Sequence, residues 1–117
     1  MKAVLLISHG SHSPKTKREV LSLLKKLRTK TKIKILEHAF LEIEKPSIAE
    51  GIEHCIQKGA TGIVILLNFL NSGQHVDRDI PKIIRQAQAR HPQIKFTITK
   101  PVGQHPRIAE LFLEMIK

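Results

Sequence analysis

Two histidines follow the two most apolar segments of the chain. His9 comes directly after residues 4–8, and His75 follows residues 63–67 by a short loop. Branched aliphatic residues without alternation are typical of strands that are covered on both faces of a parallel sheet. Imidazole is the commonest nitrogen ligand for divalent metals and also transfers protons near neutral pH. The pair therefore predicts a metal-binding or acid–base site.

The elements that must position these histidines repeat four times as strand, loop and helix. Apolar runs predict strands over residues 2–8, 33–41, 62–69 and 95–99. Serine, aspartate and proline residues mark helix starts at positions 13–14, 46–47, 79–81 and 106,. Strands that alternate with helices predict an α/β fold with a parallel sheet and right-handed crossovers. For four units we expect one flavodoxin-like domain over residues 1–117, with strand order 2-1-3-4 and helices on both faces.

This strand order places the two histidines together. In open parallel sheets, ligands bind beyond the carboxyl ends of the strands, where the strand order reverses. In the order 2-1-3-4 that point lies between strands one and three, the strands that deliver His9 and His75. Chemistry and topology therefore predict the same crevice.

A carboxylate is expected at the same sheet end. Glu42 lies just past strand two, where it could bind a cation or accept a proton,. The alternative for Glu42 is a solvated loop carboxylate, and Glu44 is a second candidate for the same role. His12 and His105 also fall in loops at this end, whereas His38, His54 and His91 are explained as surface or packed residues.

Composition narrows the function classes. The chain has 20 Lys and Arg against 10 Asp and Glu, a formal charge of +10, which indicates a solvated basic surface that could also attract a small polyanion,. Nucleic-acid binding is disfavoured because there is no Trp or Tyr and the Phe residues do not interleave with basic ones,. No P-loop and no GxGxxG motif occurs, so a nucleotide cofactor has no support,.

Cysteine content and hydropathy predict a cytoplasmic protein. The single cysteine, Cys55, cannot form an internal disulfide, and it falls on the apolar stripe of the second helix as a core residue,. No apolar run approaches the roughly 20 residues that cross a bilayer. Residues 1–2 lead into a strand rather than a signal peptide, so we expect no membrane association,.

The motifs taken together resemble those of the class II chelatases, specifically the short sirohydrochlorin cobaltochelatases. The resemblance covers nearly the whole chain, and its most specific part is Phe-Leu-x-x-Gly-x-His-Val-x-x-Asp-Ile-Pro. The matching residues are His9-Gly10-Ser11, Glu42, Pro46-Ser47-Ile48, Phe69-Leu70, Gly73, His75-Val76, Asp79-Ile80-Pro81, Gly103 and His105-Pro106.

This resemblance implies an enzyme that inserts a metal into sirohydrochlorin without ATP and without an organic cofactor. It implies that His9 and His75 bind the metal and accept protons, that Glu42 assists, and that two copies form a homodimer. Co²⁺, as in cobalamin biosynthesis, is the expected metal substrate. Fe²⁺ for sirohaem and Ni²⁺ are alternatives, because two histidines and a glutamate do not select one metal.

Other residues could shape the site, and two other classes of function remain open. Arg78 and Arg107 lie near the loop ends and could meet the substrate carboxylates. The family often has a proline shortly before Phe-Leu, where this chain has Leu67-Asn68, and Asn68 at a buried strand end needs a hydrogen-bond partner,. A metal-binding or metal-delivery protein without turnover is the alternative function. A basic nucleic-acid-binding module is the third.

Overall fold

Four parallel strands form one sheet in the order β2-β1-β3-β4, as the sequence predicts. The computed structural model describes residues 1–117. In chain order the elements are β1 (Lys2–Ser8), α1 (Pro14–Arg28), β2 (Ile35–Phe40), α2 (Ile48–Gln57), β3 (Gly62–Leu67), a π-helical turn (His75–Asp79), α3 (Ile80–Arg90), β4 (Lys95–Pro101), a 3₁₀ turn (Val102–Gln104) and α4 (Ile108–Met115).

The central strand is β1, which pairs with β2 on one side and β3 on the other. Its last paired residues are Ser8, opposite Phe40 of β2, and Ile7, opposite Leu67 of β3. Three adjacent strands of the sheet, β2, β1 and β3, therefore end at one level. Whatever follows Ser8, Phe40 and Leu67 is delivered to the same edge.

The hydrophobic core has two layers of unequal size, one on each face of the sheet. The larger layer packs β1, β2 and β3 against α2 and α3, with Leu5, Ile52 and Ile80 at its centre. The smaller layer lies under α1, where Val20 and Leu24 are the buried helix residues. All of β1 except Lys2 is buried, which is the reason its sequence shows no polar alternation,.

Side-chain caps fix where the helices begin. The Ser13 hydroxyl accepts the N–H of Lys15 at 3.3 Å in front of α1. Ser47 and Glu50 form a capping box before α2: the Glu50 N–H donates to the Ser47 hydroxyl at 3.2 Å, and the Ser47 N–H donates to the Glu50 carboxylate at 2.9 Å,. The bond from the Ser47 N–H, with a further contribution from the Ser47 side chain, holds the pKa of the Glu50 carboxyl below its ordinary value. None of the helices combines the length and apolar character that a bilayer crossing requires.

The structure shortens two predicted strands and extends a third. β2 covers Ile35–Phe40 rather than residues 33–41, because its pairing with β1 runs only from Ala3–Ile35 to Ser8–Phe40. β3 covers Gly62–Leu67 rather than residues 62–69. β4 runs on to Pro101 through an irregularity in its pairing with β3. On α1, Leu21 is exposed, because Val20 and Leu24 are the helix residues that are buried against the sheet.

Helix α4 differs most from expectation. Apolar residues recur along this helix at helical spacing, among them Leu111, Phe112 and Met115, yet each of these side chains is more than half exposed. No residue of α4 is buried. The apolar residues are therefore present, but they are not covered by the chain's own sheet.

The Cys55 thiol is expected to be unreactive in the folded protein. Burial raises its pKa to about 12, with a further contribution from the nearby Glu37 carboxylate. Since each pKa unit changes the thiolate fraction tenfold, reaction with a disulfide reagent at pH 8 should be about a thousandfold slower than in urea. Stopped-flow absorbance in both conditions measures this ratio. Equal rates would contradict the burial of Cys55.

Gly103→Ala should destabilise the protein, whereas Gly73→Ala should not. A Cβ atom at position 103 would overlap the backbone of Leu70, while one at position 73 would meet open space. We expect the alanine at 103 to lower the free energy of unfolding by about 1–3 kcal/mol. For the alanine at 73 we expect a change within about 0.5 kcal/mol. Urea titration followed by circular dichroism compares the two, and equal losses would rule out this contact.

Candidate metal centre

Three side chains converge beyond the carboxyl ends of β1, β2 and β3. The Nε2 atom of His9 lies 3.1 Å from Oε1 of Glu42, and Nε2 of His75 lies 3.9 Å from the same oxygen. The two imidazole rings are 5.2 Å apart between centroids. One ligand atom from each residue falls within 4.8 Å of the others. The three residues that the sequence selected are therefore neighbours.

The contact between His9 and Glu42 is set by the backbone. Beyond the last strand pair, the N–H of Leu41 donates to the Ser8 carbonyl at 2.9 Å and that of Glu42 donates to the His9 carbonyl at 3.1 Å. Gly10 follows with φ of +104°, a conformation that side chains rarely adopt,. A Cβ atom there would overlap the Glu42 carbonyl oxygen. Only glycine lets the two loops approach this closely.

His75 reaches the cluster from a helical turn rather than from the loop that was predicted. The N–H of Ile80 donates to the His75 carbonyl five residues earlier, which makes residues His75–Asp79 a π-helical turn,. Pro81 has no N–H for the carbonyl four residues before it, so regular α-helical bonding cannot run back through this turn. The wider turn carries Val76 into the core and leaves His75 at the sheet edge.

The second ring nitrogen of each histidine is already engaged. Nδ1 of His9 lies 3.0 Å from the Gly10 carbonyl, and Nδ1 of His75 lies 2.9 Å from Oδ2 of Asp79. Carbonyl and carboxylate oxygens accept hydrogen bonds, so a proton on each Nδ1 satisfies both of these partners, and Nε2 is the ring nitrogen that each histidine can offer to a metal. Metal-binding histidines in proteins are held in this way, by a hydrogen bond on the nitrogen that does not bind the metal.

This donor set fits one divalent ion with open positions. Two ligands that share an ion at about 2.1 Å are at most about 4.2 Å apart, so small side-chain rotations would bring all three atoms onto it. Two imidazoles and one carboxylate suit several first-row metals. The His9, Glu42 and His75 side chains are 46%, 49% and 49% exposed, so the remaining positions face outward. A bound ion would be accessible to a large planar ligand.

The other candidates at this edge lie outside the cluster. The Glu44 carboxylate accepts the N–H of Ser11 at 3.0 Å and so holds the loop after β1. Nδ1 of His105 accepts the N–H of Arg107 at 3.0 Å. His12 is exposed and is not among the three clustered ligands.

Two other residues that the sequence pointed to, Asn68 and Arg78, lie close to the cluster. The Asn68 amide donates to the Ser8 hydroxyl at 3.0 Å, which is the partner expected for an asparagine at this strand end. Arg78 is 70% exposed, and its Nε lies 3.8 Å from Oδ1 of Asp79. Arg107 pairs with Glu110 on the surface. Of the two arginines, Arg78 stands beside the His75 turn.

The remaining histidines have structural surroundings, as expected. His91 contacts Glu53 at 2.7 Å between α3 and α2. His54 lies on α2, 3.9 Å from Glu37. His38 lies in β2 with its Nε2 buried and unpartnered, and burial lowers its pKa.

Asp79 and Gly10 have roles that could not be predicted from the motifs. Both lie within segments that match the family, but the motifs do not identify Asp79 as the hydrogen-bond partner of His75. The sequence contains one indication of this contact: His75 and Asp79 are four residues apart, and residues at that spacing lie on the same face of a helix,. Recognising it required a helix that begins at His75, whereas the prediction started the helix at residues 79–81.

Comparison with known proteins gives a consistent result. The sequence model of the CbiX family matches residues 3–117. The sirohydrochlorin ferrochelatase of Priestia megaterium is 33% identical over 116 residues, which are 99% of this chain and 44% of that protein. The sirohydrochlorin cobaltochelatase of Priestia megaterium is 33% identical over 112 residues, 95% of this chain and 36% of that protein.

A solved structure shows the same relation in three dimensions. The sirohydrochlorin chelatase SirB from Bacillus subtilis subspecies spizizenii, in complex with cobalt, superimposes with a TM-score of 0.90 at 30% identity. The match covers 98% of this chain and 49% of that one. The chain thus spans about half the length, or less, of these relatives. The family resemblance predicted from the motifs is confirmed: the chain belongs to the CbiX family.

Proposed function

We propose that this protein is a chelatase that inserts Co²⁺ into sirohydrochlorin without ATP. The observation that carries the proposal is the convergence of His9, Glu42 and His75 in a member of the CbiX family. The relatives that support the substrate are named for sirohydrochlorin, and one was solved with cobalt. The metal is the substrate here rather than a resident cofactor.

The chemistry of insertion matches the donor set. Placing M²⁺ in the macrocycle releases two pyrrole protons and exchanges the metal's ligands for ring nitrogens one at a time. His9 and His75 would hold the ion by Nε2, because their Nδ1 atoms are engaged. Each imidazole that the metal leaves becomes a free base beside the Glu42 carboxylate. These three groups are the proton acceptors of the proposed reaction.

Charge supports capture of the substrate. Sirohydrochlorin is a polycarboxylate, and the chain carries a formal charge of +10. A strongly basic surface raises the local concentration of such an anion. Arg78, exposed beside the His75 turn, is the proposed carboxylate contact closest to the cluster.

The choice of metal stands as part of the proposal. The relatives include both a ferrochelatase and a cobaltochelatase, so Fe²⁺ insertion for sirohaem is the nearest alternative and Ni²⁺ follows. An imidazole–carboxylate set binds all three ions, with affinity rising from Fe²⁺ to Co²⁺ to Ni²⁺. The relative rates at which the protein inserts Fe²⁺, Co²⁺ and Ni²⁺ would identify its metal substrate.

The working form we propose is a cytoplasmic homodimer. The cluster is open on its outer side, where a second copy could enclose a macrocycle. A single buried thiol suits a reducing compartment,.

Histidine removal tests the metal centre. Anaerobic mixing with sirohydrochlorin and Co²⁺, Fe²⁺ or Ni²⁺ is followed by the absorbance shift on metallation. We expect acceleration by the unmodified protein, and a loss of about 100-fold or more in His9→Ala and in His75→Ala. His12→Ala, an exposed histidine outside the cluster, is the matched control and should retain the rate.

Two outcomes would overturn the proposal. Full insertion rates in folded His9→Ala and His75→Ala variants would exclude these residues as the metal centre. Tight Co²⁺ binding without acceleration for any metal would favour a metal-delivery protein instead.

Asp79→Asn should weaken metal binding while Asp77→Asn should not. The Asp79 carboxylate accepts the Nδ1 proton of His75 at 2.9 Å, whereas Asp77 is exposed and lies outside the cluster. Loss of such a partner typically lowers metal affinity about 10–100-fold. Co²⁺ titration by isothermal calorimetry measures both variants. Equal affinities would show that Asp79 does not position His75.

A further inference from the structure

The basic residues of the chain are unevenly distributed. The loops that follow the four strands, at the edge of the sheet that carries the metal centre, are residues 9–13, 41–47, 68–79 and 102–107. Together they contain four acidic and three basic residues. Residues 25–34, which we call the basic segment, contain five lysines, one arginine and no acidic residue. More than half of the formal charge of +10 therefore comes from one short stretch of the chain.

The basic segment lies at the opposite edge of the sheet from the metal centre. It comprises the last turn of α1 and the connection to β2. The first residue of β2, Ile35, pairs with Ala3 near the start of β1, whereas the metal centre follows Ser8 and Phe40 at the other end of the same strands. A ligand bound to the basic segment therefore leaves the metal centre open.

The basic segment presents unpaired charges on an ordered backbone. Its six basic side chains are exposed, and none of them lies in an ion pair with a carboxylate. The Thr29 hydroxyl donates to the Lys26 carbonyl at 2.7 Å, and the N–H of Ile33 donates to the Thr31 hydroxyl at 3.2 Å. Ile33 also packs against the smaller core layer. Binding to this segment therefore requires little ordering of its backbone.

The stability of α1 explains only part of this charge. Cations in the last turn of a helix are favourable, because they lie near the negative end of the helix dipole. The three basic residues before position 29 are in that turn. Lys30, Lys32 and Lys34 lie beyond the helix, at alternate positions, where like charges repel one another,. An anion from outside the chain would relieve this repulsion.

A shallow depression adjoins these lysines. It has a volume of about 360 Å³ and lies between the start of β1 and the connection from α1 to β2. Lys2, Lys32 and Lys34 are among its lining residues, and no acidic residue lines it. Ammonium groups form their strongest hydrogen bonds with ionised acceptors. Three of them around one depression suit a side chain that ends in a carboxylate.

The residue types favour a protein partner over a nucleic acid or a membrane. Arginine is the preferred residue for phosphate recognition, and the guanidinium of the one arginine here, Arg28, donates to the Leu36 carbonyl at 3.1 Å,. The segment has no aromatic residue on which a base would stack,. Its two large apolar residues, Leu27 and Ile33, pack against the core, so neither is available to insert into a bilayer,.

We propose that the basic segment is a docking surface for an acidic region of another protein, which binds through clustered glutamate and aspartate side chains. Exposed pairs of lysine and carboxylate contribute little individually, so the complex is transient and its association is sensitive to salt. Because the surface lies away from His9 and His75, the partner stays bound while the metal centre is occupied. This inference goes beyond the proposed function and does not depend on which metal is inserted.

Binding of a fluorescein-labelled polyglutamate peptide tests the surface. Fluorescence anisotropy is measured with the whole chain, without metal or macrocycle, at about 50 and about 300 mM NaCl. The peptide should bind at low salt, and its dissociation constant should rise by about tenfold or more at high salt, because the charges are screened. In Lys30→Glu/Lys32→Glu/Lys34→Glu the dissociation constant at low salt should rise by about 20-fold or more, since three attractions become repulsions.

Two further variants control for net charge and for folding. Lys82→Glu/Arg85→Glu/Arg90→Glu alters exposed residues of α3 and changes the net charge by the same amount. It should raise the dissociation constant by less than about threefold. The neutral variant Lys30→Gln/Lys32→Gln/Lys34→Gln should give an intermediate loss. Circular dichroism of every variant should match that of the unmodified protein.

Three outcomes would overturn the inference. The first is an absence of peptide binding at low salt. The second is an equal loss in the two charge-reversed variants, which would attribute binding to net charge rather than to this surface. The third is tighter binding of a DNA duplex or of phosphatidylglycerol vesicles through the same three lysines, which would identify phosphate as the ligand. Because the measurement uses neither metal nor macrocycle, its failure would leave the insertion assay unaffected.

Discussion

The pairing of β1 with a parallel neighbour on each side is the constraint on which the candidate site depends. Because β1 shares its register with β2 and β3, the segments that follow Ser8, Phe40 and Leu67 emerge at one level. The hydrogen bonds continue for two residues past the strands, and this brings Glu42 to His9. A site built in this way inherits the rigidity of the sheet, although its ligands lie in loops.

The two imidazoles are held differently, which gives the site an internal asymmetry. His9 donates to a neutral backbone carbonyl, whereas His75 donates to the Asp79 carboxylate. A carboxylate partner raises the basicity of the ring nitrogen that faces the metal. In the proposed metal centre, His75 would therefore be the more firmly oriented ligand of the pair. In a stepwise transfer, the less firmly held ligand, His9, would release the ion first.

The strand order and the proximity of His9, Glu42 and His75 could be predicted from the sequence. Apolar runs indicate where the parallel strands lie, and the strand order then indicates at which edge of the sheet the residues after each strand meet. The sequence could not supply the partner of His75, since the π-helical turn arises from the missing N–H of Pro81 in its three-dimensional setting,. It also could not place α4. An apolar stripe indicates that a helix face will be covered, but it does not indicate by which surface.

Gly10 divides the site into a fixed half and an adjustable half. No side chain fits between position 10 and the Glu42 backbone. A substitution at position 10 therefore cannot adjust the distance between His9 and Glu42. The π-helical turn has no comparable restriction, and Gly73 before it faces open space. If related proteins bind ions of different size or coordination preference, the sequence differences that adapt the site would therefore fall in residues 73–79. The half of the site that contains His9 and Glu42 would stay the same.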